Sequence, residues 1–284
     1  MKRAYMAPAL AITAAAAITA TAVPAMAAPT AAPAAAAKLP TVNFDATLLA
    51  SQLDPGRPGT GTTSGAKASV LLVEKALNAK GLLAKKYVDG SFGSSTVKAM
   101  TAYQKKLGYK GCSANGLPGP TSLTKLGAGR YTVTNKISVG STNSSYGGKR
   151  VNARSKKMLA AADAKFTVGR ITLTQGEYHK GVGASAGTHD CGGAVDINVG
   201  PFSTTSRWKL VKALRSVGFA AWLRTPAQGF PYHIHAVAIN DADLAPAAHY
   251  QIYDYYRGRN GLNGHGADNT PKAYRAPFRT FEHK

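Results

Sequence analysis

Acidic residues are scarce: 13 Asp and Glu stand against 35 Lys and Arg, a formal charge of +22 at neutral pH. That imbalance favours a polyanionic partner, nucleic acid for an intracellular chain and anionic cell-wall polymers for an exported one. Charge alone does not choose between them. Long apolar runs are also lacking beyond the first residues, which excludes a bilayer span in the body of the chain. At the start, Lys2 and Arg3 precede an Ala-, Ile- and Leu-rich stretch that ends in Ala25-Met26-Ala27, a small-x-small cleavage form. This pattern predicts a secretory signal peptide over residues 1–27; the stretch is short for an anchor and broken by Pro24. An exported, soluble, monomeric protein of charge +20 follows, with cell-wall polymers rather than nucleic acid as its partner. Cysteine is nearly absent, so Cys112 and Cys191 allow at most one bridge. In an oxidising compartment such a pair favours a disulfide. The alternative is Cys191 as a metal ligand, two residues after His189.

Residues 28–66 are rich in Ala, Pro, Thr and Gly, lack periodicity and predict a flexible linker. Helical spacing begins after that. Val70, Val73 and Leu77 share one face of a first helix that stops at Gly81. Val97, Met100, Gln104 and Leu107 line a second, with Ser94 or Ser95 as cap, and Pro120 opens a short third helix carrying Leu123 and Leu126. Residues 67–128 therefore predict a three-helix domain without a catalytic cluster.

The segment contains Val73 and Leu77, then Asp89-Gly90-Ser91-Phe92-Gly93 with Thr96, then Tyr103-Gln104, then Asn115-Gly116 with Gly119 and Ser122. In this order it resembles the three-helix peptidoglycan-binding domain. The resemblance implies glycan or stem-peptide binding in a shallow groove, with most of the motif positions structural.

After a linker over 129–150, residues 151–245 alternate helical and strand patterns and predict an antiparallel α+β domain. Asn152 caps a helix with Met158, Leu159, Ala162 and Phe166 inward, and Ile171 and Leu173 mark a strand. Trp208, Val211 and Leu214 line another helix, and residues 246–284 read as a Tyr-, Gly- and Arg-rich tail, ordered loop at best. In the run Ala194-Val195-Asp196-Ile197-Asn198-Val199, strand parity sends Val195, Ile197 and Val199 into the core and Ala194, Asp196 and Asn198 to the opposite, open face. The same parity puts His233 and His235 on one face of a later strand. Neutral imidazoles and a carboxylate form the ligand set of a catalytic zinc site, and Gly192 and Gly193 let the chain turn between His189 and Asp196.

The string His189-x-x-Gly192-x-Ala194-x-Asp196, followed by His233-x-His235, resembles the zinc D-alanyl-D-alanine peptidase family, peptidase M15. Lysostaphin-type peptidases and the Hedgehog signalling domain share the wider fold. The resemblance implies Zn2+ held by His189, Asp196 and His235, and His233 as the active-site base. It implies hydrolysis of peptide bonds of peptidoglycan in stem peptides or cross-links; the alternative is a wall-binding protein with a structural zinc. Two positions depart from the family pattern. Tyr232 stands where many members place an acid, and the stretch LTQGEYHKG lacks an upstream arginine. Gln175 and Tyr178 are the donors that this stretch offers to a reacting carbonyl. Arg170 reads as too deep in its strand, Asp190 as orienting His189 or solvent, and His179 as surface.

Overall fold

Short polar side chains start several of the helices. In the computed structural model, which describes residues 38–283, strand β1 (Thr41–Asn43) leads into helix α1 (Phe44–Leu53), where Asn43 accepts a capping hydrogen bond from the Ala46 amide. Helices α2 (Lys67–Ala79), α3 (Ser94–Lys106) and α4 (Pro120–Leu126) follow. Gly93, rather than a serine, occupies the N-cap of α3, and Pro120 sits in the first turn of α4. Strand β2 (Thr132–Thr134) pairs in parallel with β1, and β3 (Ser144–Tyr146) forms a hairpin with β4 (Lys149–Val151). Helix α5 (Ala153–Lys165) begins at Asn152, whose side chain accepts from the Ser155 amide at 2.7 Å. Then come β5 (Leu173–Gln175), β6 (Ala194–Asn198), α6 (Thr204–Arg215), β7 (Phe219–Arg224), β8 (His233–Ala238) and α7 (His249–Tyr256).

Four of the strands make one antiparallel sheet in the order β5-β6-β8-β7, so the fold is α+β. One sheet face carries Val195, Ile197, Leu223, Ile234 and Ala236 and packs on Met158, Leu159, Leu210, Val211 and Leu214 of α5 and α6. Each large apolar side chain buried here contributes roughly 1.5–3 kcal/mol. The other face is divided. Ala194, Ala220 and Val237 are covered and join a core with Phe44, Leu48, Leu77 and Ile252. The far end, with Asp196, His233, His235 and Arg224, borders a cleft.

Three expectations about organisation change. The flexible-linker reading of 28–66 fails from Leu39 onward: Val42, Phe44, Leu48 and Leu53 are buried and α1 packs on α7. The linker over 129–150 contains β2 and both strands of the hairpin. The tail contains α7, whose Ile252 and Tyr255 are buried, and Arg215 in α6 binds Asp268 at 2.9 Å. From Leu39 onward the chain forms one unit, so the helical segment and the sheet share a core. The signal peptide expected over 1–27 lies outside the described residues.

Polar pins reinforce that union. Gln52 donates to the Asp241 carbonyl at 3.0 Å and accepts from the Asn240 amide at 2.8 Å, and Asn115 donates to the carbonyls of Ala242 and Leu244. Cys112 and Cys191 form a disulfide, so Cys191 is not a metal ligand. Within the helical segment, the buried Glu74 carboxylate accepts from the amides of Asp89 and Gly90 and from the Thr96 hydroxyl. Burial pushes its carboxyl up to about 7, with these bonds opposing. Gln104 likewise closes the turn at Gly116 and Leu117. Among the described residues, no helix is long and apolar enough to cross a membrane.

Candidate metal centre

Asp196 and His235 are direct cross-strand partners on β6 and β8, which puts their side chains on the same face and within reach. Asn198 opposes His233 two pairs further along, on the same face, and Trp222 opposes His235 from β7. His189 arrives from the loop before β6. Gly193 has φ +78°, and a Cβ there would meet Leu244 Cδ2 at 2.5 Å; at Gly192 one would meet Asp243 and Tyr178 at 2.8 Å. Both glycines thus permit the tight return that brings His189 beside Asp196.

His189 Nε2 lies 3.3 Å and His235 Nδ1 2.9 Å from the same oxygen, Asp196 Oδ1. His233 Nε2 stands at 3.8 Å from it. His189 and His235 are buried. The outer contacts set the tautomers. His189 Nδ1 donates to the Gly176 carbonyl at 3.2 Å, which leaves a lone pair on Nε2 of the neutral ring. Gln251 donates its amide to the Gly261 carbonyl at 2.9 Å, so its oxygen faces His235 Nε2 at 3.0 Å and requires the proton there. The lone pair of neutral His235 is then on Nδ1, toward Asp196. Burial keeps His235 below the ordinary histidine range, against the pull of Asp196. Burial alone would raise Asp196, but the charge and hydrogen bonds that His189 and His235 offer when protonated outweigh it and hold the carboxyl well below the usual range.

Two lone pairs and an anionic oxygen therefore converge, and their donor atoms all lie within 4.8 Å of one another. A carboxylate only accepts, so neutral rings leave this centre without a donor. A metal ion satisfies all three groups at once, and the two outer hydrogen bonds orient the rings as metal-ligating histidines require. The buried group of His189, Asp196 and His235 can hold a metal ion.

The centre lies in a cleft of about 660 Å3. His233 and Gln175 line it; the His233 Nδ1 donates to the Pro231 carbonyl at 2.8 Å, and Gln175 is hydrogen-bonded to Ser185. Tyr178 is the correction. It does not line the cleft: its hydroxyl donates to Asp243 at 2.9 Å and Arg150 stacks on its face. It supports the loop and does not reach the site. Arg170 is not deep in a strand but exposed, paired with Asp163, and His179 is exposed. Asp190 lies outside the cleft lining.

Sequence reasoning missed Arg224, Tyr250 and Gln251, all of which line the cleft. Arg224 is 2% exposed, donates to the Asn260 carbonyl at 2.7 Å and has no carboxylate at ion-pair distance among the described residues. Burial lowers its guanidinium to about 10, against the pull of Asp196. Strand parity with His233 was the available signal, since Arg224 is its direct cross-strand partner. Behind the loop, the Asn152 amide donates to Glu177 at 2.6 Å and its side chain to Asp241 at 2.9 Å. Burial, then the nearby Asp241, pushes Glu177 up to about 8, and burial pushes Asp243 to about 6.

Compared with family models, with curated proteins and with solved structures, the chain has no match.

Proposed function

We propose that this protein is an exported zinc-dependent peptidase that hydrolyses peptide bonds of bacterial peptidoglycan, in stem peptides or cross-links. The observation that carries this reading is the convergence of His189 Nε2, His235 Nδ1 and Asp196 Oδ1 in an open cleft. The ordered resemblance of the surrounding motif to the zinc D-alanyl-D-alanine peptidases supports it, and the imidazole and carboxylate donors suit zinc. Zinc bound there supplies a Lewis acid and lowers the pKa of a coordinated water.

The chain's own residues provide the remaining roles. His233 keeps its Nδ1 proton on the Pro231 carbonyl, so its neutral ring presents Nε2 toward the centre as a proton acceptor. The same nitrogen, once protonated, returns the proton to a leaving amine. Arg224 supplies fixed positive charge for negative charge that develops in the cleft, the role the upstream stretch lacks. Gln175 offers a neutral amide on the same wall.

Mass spectrometry of purified peptidoglycan after incubation with the protein, with and without chelator, tests the reading. New chelator-sensitive peptide termini are expected and identify the bond. Unchanged wall material from folded, zinc-loaded protein across several wall types replaces the reading with a wall-binding protein whose metal is structural.

A further inference from the structure

A second cleft of about 440 Å3 lies where three separated segments meet. Gln52, Pro55 and Gly56 come from the end of α1 and its following turn, Ser94, Val97 and Lys98 from the start of α3, and Tyr250 and Tyr253 from α7. Tyr250 also lines the metal-centre cleft, so the two cavities share a wall. Tyr250 thus lies within reach of a ligand in either cavity.

The two cavities differ in chemistry. The first holds the triad of His189, Asp196 and His235, His233 and the buried Arg224, which has no carboxylate at ion-pair distance among the described residues. In the second, the carboxylate of Asp254 is already engaged by His265 at 2.8 Å and Arg259 at 3.6 Å. Desolvation of the half-buried His249 pushes it down to about 4, which leaves it neutral. What remains is a wall of tyrosine rings and prolines with hydrogen-bonding groups and the Lys98 ammonium at its edge. Gly56 allows Tyr253 to lie against the backbone: a Cβ at that position would sit 2.2 Å from the ring. Aromatic faces bounded by hydrogen-bonding side chains, Ser94 and the cations Lys98 and Arg259 among them, suit a ligand with apolar C–H faces and many hydroxyl and amide groups.

We propose that this second cleft is a saccharide subsite, which holds the glycan part of a glycopeptide while its peptide part lies against the triad. The inference deepens the peptidase reading, on which its substrate assignment rests: the substrate is a peptide still attached to N-acetylated sugar. The site is composite, because α1 and α7 contribute as much of its lining as the motif-bearing α3. It is therefore distinct from a groove on an isolated three-helix domain.

The test uses the full chain, a disaccharide-peptide of the N-acetylhexosamine type, the same peptide without sugar, and an N-acetylglucosamine oligosaccharide. Ligand-observed NMR should detect the oligosaccharide bound to the protein with or without metal. Tyr253→Ala removes a ring from the wall, and Ser94→Trp, at an exposed helix start, fills the cleft without touching the core. Both should weaken oligosaccharide binding by about tenfold, in the range of lost aromatic anchors. Both should lower kcat/KM for the disaccharide-peptide and leave the free peptide unchanged. Oligosaccharide binding that neither variant alters, no binding at all, or competition by the free peptide for this cleft overturns the proposal. If no peptide is hydrolysed yet saccharide binding falls in both variants, the peptidase reading fails and the saccharide subsite stands.

Discussion

One face of one sheet behaves in two ways. At its closed end, Ala194, Ala220 and Val237 are fully buried against the helical core. At its open end, two residues further along β6 and β8 and four along β7, Asp196, His235 and Arg224 border a cleft. Parity is identical at both ends. The difference comes from what packs above: α7 and α1 cover the first end with apolar side chains, whereas the loop bearing His189 arches over the second and leaves room. A carboxylate on this face is tolerated only where histidines meet it, because an unpaired buried charge is costly.

Exchanging the character of the two ends should break this arrangement in opposite ways. Asp196→Ala removes the oxygen that both imidazoles face, and the purified variant is expected to lose stoichiometric zinc by elemental analysis, with hydrolysis abolished. Val237→Asp places an unpaired carboxylate under the helices and should lower stability by more than about 3 kcal/mol, read by denaturant unfolding. His233→Ala should retain full zinc but lose hydrolysis by about 10²–10⁴-fold, the usual share of a general base. If zinc is lost with it, His233 is a ligand rather than a base.

Smaller effects probe what holds the open end in place. Cys112→Ser opens a bridge across 79 residues of sequence and should cost about 2–4 kcal/mol, with weaker metal retention because Cys191 follows His189 by two positions. The buried acids behind the loop predict a pH dependence. Glu177 is raised to about 8 and Asp243 to about 6, so protonation favours the folded state. Their contribution is full below the unfolded carboxyl range and is lost as pH rises through 6 and then 8. Thermal unfolding should therefore show stability falling between about pH 4.5 and pH 8. Glu177→Gln should flatten the upper part of that slope.

Much of this was readable beforehand from local spacing. The α+β class, the Asn152 cap and the inward faces of α5 and α6 follow from helical and strand periods, while the grouping of His189 with Asp196 and His235 is what the motif resemblance implies. Other features were not. Helix α1 lies in a stretch whose composition resembles a linker, and α7 is a run of tyrosines, histidine and glutamine without an aliphatic stripe; each is stabilised by packing on the other. Tyr178 was misplaced because its hydroxyl is taken by Asp243, 65 residues further on, and no spacing rule reports a contact of that range.

Residue identity and period alone set Asp196 opposite to Val195 and Ile197 on its strand and put His233 and His235 on one face of theirs, since side chains alternate along any strand. They also make one disulfide the maximum and give the protein its large positive charge. Which end of that face is open, which arginine reaches the cleft and how α1 joins α7 depend on long-range packing. Such contacts form between segments nearly two hundred residues apart, as Gln52 with Asn240 shows. Local sequence carries no period for them, because their free energy comes from surfaces that exist only after the chain has folded.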